Sequence, residues 1–268
     1  KSWVLLANYQ DPTLIMNTVA FELGHRMGLP FTNHAHHVEL FMNGLHNGSY
    51  VLTEQVQVNE HRVNVNEDTG FLVELDSYYD EEPRFKTDQM QLPIMIKSPK
   101  DLVDPSGYDF VKNDINALTN ALVDPSFPNS GYRDMIDVDI FIDFMMINEI
   151  VRNVELYYPK SVFAYKKDPT AKIGLVPLWD FDWGFGYRVY GSVYFTSPSE
   201  MILGPTRGND GAGYGFFRRF FDDPEFRKLY KERWNNFYQK GVFNLDDFID
   251  QKQIEQDYSQ KLNFDLWP

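Results

Sequence analysis

A chain of 268 residues with 43% hydrophobic and 16% aromatic content can bury one large core or two small lobes, which excludes an intrinsically disordered segment. Its 25 basic and 39 acidic residues leave a net charge of −14, so neither a large nucleic-acid footprint nor an anionic membrane surface is expected, whereas a bound divalent cation suits such a field. The absence of cysteine excludes disulfides, thiolate catalysis and Cys-ligated metal sites, and no stretch approaches the 18 apolar residues of a membrane span.

In chain order, Lys1 to Leu6 reads as the middle of a strand, and the sequence is expected to be a segment of a longer protein. A helix is predicted from Pro12 to Met27, with Asp11 as N-cap, Gly28 as terminator and an apolar stripe at Leu14, Ile15, Val19, Leu23 and Met27. A strand over Val38–Met42 and another over Ser49–Val58 flank Asn43-Gly44 and Asn47-Gly48, pairs that favour positive φ and a hairpin. Short strands follow at Phe71–Leu75 and Pro93–Lys97. A helix is predicted over Tyr108–Val123 and a strongly apolar one from Ile140 to about Arg152, whose Met and Phe content reads as core. Val162–Lys166 and Ile173–Leu178 read as a hairpin around Asp168-Pro169. A Gly-rich aromatic region from Gly184 to Gly215 precedes a helix opened by Asp223-Pro224. Strands and helices are segregated more than alternated, which predicts an α+β fold. No internal repeat or linker divides the chain, so one domain over residues 1–268 is expected, mainly β to about 105 and mainly helical from about 106.

The segment richest in chemistry is Leu175–Gly186, an apolar run that ends in Asp180 and Asp182 and enters glycines. Carboxylates two residues apart on a strand share a face, and at about 5 Å in a medium of dielectric near 20 they repel by roughly 3 kcal/mol. A cation, an arginine or a retained proton would offset this, and Mg²⁺ fits oxygen-only ligands. The alternative on spacing alone is a turn-capping Asp beside an ion-paired one. About 25 residues earlier, Asn153, Glu155, Lys160 and Ser161 lie on a loop between an apolar helix and a strand. There a carboxylate could orient a hydroxyl and Lys160 could hold a phosphate, or the segment is a solvated helix end. His34, His36 and His37 invite a metal reading but lack acidic or thiol neighbours. Gly208–Gly213 lacks the ending of a phosphate loop.

These motifs together resemble the CotH (spore coat protein H) kinase-like family. The likeness rests on Lys1–Asn8 with Asp11–Asn17, the Asn43–Val56 hairpin, Asn153-Val154-Glu155, Trp179-Asp180-Phe181-Asp182 with Phe185-Gly186, and Asp223-Pro224 with Arg233-Trp234. It spans nearly the whole chain, and its Trp-Asp-x-Asp phrase is the most specific piece. The resemblance implies an atypical protein-kinase-like fold, here a segment lacking the N-terminal strands, and Mg²⁺-dependent transfer of phosphate from ATP to protein hydroxyls. By the same resemblance Asp180 and Asp182 are metal ligands, Glu155 is the catalytic-loop carboxylate where the family usually has Asp, and Ser161 lies near a second metal ligand. Lys160 then joins Glu155 as a catalytic candidate, while Asn153, Ser161 and Lys97 are nucleotide-binding candidates, Lys97 standing as the remaining phosphate-binding lysine or a surface one. The expected partner is a protein, extracellular or on a bacterial cell surface. A second expectation stays open: a catalytically silent structural or interaction domain of a secreted or surface assembly, with exposed aromatics around Tyr187–Phe195 binding glycan.

Overall fold

The structure, a computed structural model, describes residues 2–268 apart from 101, 103, 187, 190, 191, 194–198 and 205–210. Asn43 and Gly44 adopt φ of 52° and 79° and form the two-residue turn that joins β2 (His36–Met42) to β3 (Leu45–Glu54). Positive φ at both turn positions matches the twist of the paired strands, as this dipeptide predicts. Asn47-Gly48 does not share the turn but lies inside β3, so the strand begins four residues earlier than expected and ends at Glu54 instead of Val58. Gly48 serves another purpose: a Cβ there would sit 2.7 Å from the Asn263 side chain and 2.9 Å from that of Trp267. The outer strand β1 (Trp3–Leu6) completes an antiparallel sheet of order β1-β3-β2.

The first helix is shorter than its periodicity indicates. Asp11 is an anchor, but its carboxylate folds the chain into turns before the helix starts, taking the Thr13 N–H at 2.8 Å and the Met16 N–H at 2.7 Å. Leu14 turns left-handed at φ 60°, which no continuous helix permits, and α1 therefore spans Met16–Met27. Gly28, at φ 77°, ends it as predicted.

A second antiparallel sheet has the order β5-β6-β4-β7-β8, made of β4 (Phe71–Leu75), β5 (Arg84–Lys86), β6 (Pro93–Ser98), β7 (Val162–Lys166) and β8 (Ile173–Gly174). The last strand stops four residues short of the predicted Leu178. Pro177 has no N–H for a ladder, and Ile173 already bridges Ile136 and accepts the Asp137 N–H at 2.8 Å. Helices α2 (Asp109–Val123), α3 (Tyr132–Met135), α4 (Val138–Ile150), α5 (Gly211–Phe220), α6 (Pro224–Gln239) and α7 (Asp246–Leu266) fill the rest, with a two-residue ladder between 188–189 and 192–193. The fold is α+β. At its centre α4 is buried from Phe141 to Glu149, so its Met and Phe residues are core. The expected Gly208–Gly213 loop and Tyr187–Phe195 aromatics lie largely outside the described residues, except that Gly211–Gly213 open α5.

The last helix returns to the first sheet. Asn263 on α7 accepts the buried Ser49 N–H at 3.0 Å, and Gln260 donates to the Pro12 carbonyl at 2.5 Å. A second long-range tie is Asp223, fully buried, whose Oδ1 caps α6 through the Glu225 N–H at 2.8 Å. Its Oδ2 accepts from the Tyr132 hydroxyl at 2.6 Å and Arg133 Nε at 2.7 Å. Asp223→Ala removes the cap and strands the buried Tyr132 hydroxyl, and should cost about 2–4 kcal/mol. Asp223→Asn, which keeps an acceptor oxygen, should lose less. Urea unfolding of the two variants against the wild type measures both.

Candidate active site

The register of β4 against β7 sets Leu75 opposite Val162, so the next residues outward, Asp76 and Ser161, meet at the end of the ladder. There Asp76 Oδ2 accepts the Ser161 N–H at 3.3 Å, and Oδ1 accepts the Tyr78 N–H at 2.7 Å. The Ser77 N–H reaches the Pro159 carbonyl at 2.7 Å, which joins the β4 exit to the loop before β7. That loop starts where α4 ends. Arg152 breaks the helix at φ 58°, and Asn153 Oδ1 caps a 3-10 turn over Val154–Leu156 by accepting the Glu155 N–H at 3.2 Å. The Asn153 amide in turn donates to Asn148 Oδ1 at 3.1 Å, so Asn153 spends its polar atoms on backbone shape.

The Asp180–Asp182 segment arrives from the other side. Asn17 Oδ1 on α1 accepts the Phe181 N–H at 2.8 Å, and the Phe185 N–H reaches the Val151 carbonyl. Gly184 makes that approach possible, since a Cβ there would lie 3.0 Å from the same carbonyl. Asp180, Ser161, Arg152 and Phe185 all hold left-handed backbone, with φ between 52° and 61°. Such conformations persist where the surroundings over-determine them, and they gather at functional sites.

The geometry brings Glu155, Asp180, Asp182 and Ser161 together. Asp180 and Asp182 lie within hydrogen-bonding reach of each other, with the Ser161 hydroxyl beside Asp180. Burial first, and then the charge of Asp182 and a hydrogen bond between the two, pushes the Asp180 carboxyl up to about 7. Burial likewise raises Asp182, to which Asp11 adds repulsion. Glu155 is 6% exposed and is pushed up to about 9, by burial above all and then by Asp180 and Asp182. Its Oε2 is buried without a hydrogen-bond partner. Lys160 is the counter-charge to all three carboxyls.

Lys97 is neither free nor simply on the surface. Its ammonium lies 2.9 Å from the buried Glu74 and 2.5 Å from Glu81, and these partners raise its pKa against the opposing effect of burial. Glu74 lies on β4 and Lys97 on the neighbouring β6, so the pair sits on the sheet whose β4 ends at Asp76. The histidines are dispersed: His34 pairs with Glu54 at 2.9 Å, and His37 contacts the Leu14 carbonyl at 3.1 Å. Asp76, Asn17 and Asp11 were not expected at the site: strand pairing and helix docking bring them there, and the Asp11–Asn17 phrase carried a family likeness without a site role.

The donor set fits a hard divalent cation. It consists of carboxyl and hydroxyl oxygens, burial and neighbouring charge raise the pKa of both aspartates, and one carboxyl oxygen of Glu155 has no hydrogen-bond partner. Among the described residues no three acidic or histidine side chains form a ready metal cage. Mg²⁺ commonly takes one or two carboxylates and fills its remaining positions with water and phosphate, so a two-carboxylate site suffices.

The raised pKa of Glu155 has a stability consequence. The folded protein holds this proton to about pH 9, whereas its ordinary value is 4.5. Between those limits the folded state binds more protons than the unfolded chain, so stability falls as pH rises, by up to about 1.4 kcal/mol per unit. Glu155→Gln removes that dependence. In buffer without divalent cations, the variant should gain about 1–4 kcal/mol on the wild type between pH 5 and pH 8, read from urea midpoints.

A search of curated proteins finds no match to the chain. A family model described as CotH kinase protein matches residues 1–256, nearly the whole length and both sides of the carboxylate cluster. The chain is therefore a member of the CotH kinase family.

Proposed function

We propose that this chain is an atypical protein kinase that transfers the γ-phosphate of ATP to a hydroxyl of a protein, with Mg²⁺ held by Asp180 and Asp182. The observation that carries the reading is the convergence of Glu155, Asp180 and Asp182 on one lysine in a member of a kinase family. Mg²⁺, when bound, would neutralise charge on the transferred phosphate. Lys160 offers its ammonium to a phosphate oxygen. The Lys97–Glu74 pair supplies a second fixed ammonium, the kind of lysine–glutamate pairing that kinases use at their phosphates. Asn153 holds the turn that presents Glu155, and the Ser161 hydroxyl adds a neutral oxygen beside Asp180.

Glu155 orients the acceptor hydroxyl. While protonated it is a poor base, and it would become competent when a bound cation offset the negative charge of the cluster and lowered its pKa. Phosphoryl transfer depends more on positioning and charge than on strong base catalysis, so a slow reaction is expected. Glu carries one methylene more than the Asp usual in the family, and misplacement by about 1 Å costs on the order of 10²-fold in rate. The acceptor is proposed to be a secreted or surface-exposed protein.

The test is transfer of labelled γ-phosphate to a generic protein acceptor in Mg²⁺ buffer. The wild type should exceed an Asp180→Ala blank, and Glu155→Asp should be faster than the wild type by roughly 10-fold or more. If both stay at the blank while nucleotide binds, the domain is structural and not a kinase.

A further inference from the structure

A cavity of about 520 Å³ opens between the turn that follows β1 and the C-terminal end of α7, a size that suits a small ligand. Three of the rings that line it stand in the open: Tyr9 is 91% exposed, Trp267 55% and Phe264 41%. Large rings gathered in the open around one depression mark an interaction site more often than chance exposure. The Trp267 ring is held in place, since its indole N–H reaches the Asn47 carbonyl at 3.3 Å. Gly48 leaves the room for it, because a Cβ there would sit 2.9 Å from that indole nitrogen.

Two carboxamides line the cavity with the rings. The Gln10 oxygen is buried without a hydrogen-bond partner, and among the described residues its nitrogen has none either. Leaving such an oxygen unpaired is costly, and a ligand hydroxyl would relieve the cost. The Asn263 oxygen is fixed by the Ser49 N–H at 3.0 Å, which sets the orientation of its amide and leaves the N–H donors unused among the described residues.

What the cavity lacks narrows the ligand further. No lysine, arginine or histidine lines it, so nothing there complements a phosphate or a carboxylate. Its one acid, Asp11, is 1% exposed and commits both oxygens to Thr13 and Met16. The ligand that fits is uncharged, with an apolar face for the rings and hydroxyls for the amides. A pyranose with equatorial hydroxyls has both, C–H groups on its faces and O–H groups on its edge. A peptide would instead seat its side chains in pockets, whereas Tyr9 offers an open, flat surface.

We propose that this cavity binds a neutral, all-equatorial oligosaccharide of the cellulose or xylan type. Its sugar faces stack on Tyr9 and Trp267, and its hydroxyls bond the Gln10 and Asn263 amides. The site shares no residue with the Tyr187–Phe195 stretch, and it does not depend on the kinase reading.

Calorimetry with cellohexaose and with xylohexaose, in buffer free of nucleotide and divalent cations, tests the site. At least one of the two should bind saturably. Tyr9→Ala, on an exposed turn where the fold is not at stake, should weaken binding by about 5- to 10-fold, and Trp267→Ala by as much, with Trp267→Phe recovering part of the loss. Gln10→Met keeps the side chain's length and removes its amide. It should weaken binding by about 3- to 10-fold while the urea midpoint stays level or rises, since an unsatisfied buried oxygen is gone. A midpoint that falls marks the amide as structural and overturns its role toward a ligand, and the proposal with it. Absence of binding by both sugars overturns the proposal, as does binding that both ring variants leave unchanged. Binding of an uncharged proline-rich peptide in place of the sugars makes the cavity a peptide site, which overturns it as well.

Discussion

Crowding of like charge in a partly dry site governs the arrangement around Glu155, Asp180 and Asp182. Carboxyl groups drawn out of water resist ionisation, and each one ionised makes the next harder to ionise. With one lysine as counter-charge, the conflict appears as carboxyl pKa values raised above the ordinary range at Glu155, Asp180 and Asp182. A cation drawn into such a site would lower these pKa values by offsetting the negative charge. The acids cannot relax apart because each is fixed by its own backbone: Glu155 by the cap at Asn153, Asp180 and Asp182 by Asn17 and the Val151 carbonyl.

The scaffold that enforces this is built from backbone contacts more than from side-chain ion pairs. Glu149, at the buried end of α4, spends both carboxylate oxygens on the Ile202 and Leu203 N–H groups, at 2.8 and 2.9 Å. Tyr157 donates to the Ile202 carbonyl at 2.6 Å. The start of α5 lies so close to the Glu155 loop that a Cβ on Gly213 would come within 2.1 Å of the Leu156 carbonyl. The loop is thus wedged between α4, α5 and the end of the second sheet, and the left-handed backbone at Arg152 and Ser161 is strain that this wedge sustains.

Much of this was legible in the sequence where the signal is local. The Asn43-Gly44 turn, the Gly28 stop, the Asp223-Pro224 start and the strand at Phe71–Leu75 each depend on a few adjacent residues, and each stands where local chemistry puts it. The start of α1 was misread because helical periodicity at Leu14 and Ile15 persists through turns that Asp11 organises. The Asp180–Asp182 pair drew notice because two acids ended an apolar run. Asp76 did not, since its meeting with Ser161 follows from β4 pairing with β7 across a large sequence separation, which no local pattern encodes. Lys97 reads from the sequence as a phosphate-binding or surface lysine for the same reason: Glu74 sits on a neighbouring strand, and no local pattern encodes that pairing.

The return of α7 to the first sheet bears on the order in which the molecule can be finished. The Ser49 N–H waits for an acceptor 214 positions later, and the Pro12 carbonyl for a donor 248 positions later. Closing loops of that length has an entropy cost, and such contacts form late. As the chain leaves the ribosome, the hairpin of β2 and β3 can pair at once, but the turn carrying Asp11, which bears on Asp182, lacks its outer brace until residue 260 has emerged. The turn at Asp11 therefore gains this brace only after every residue of the charged cluster has been made.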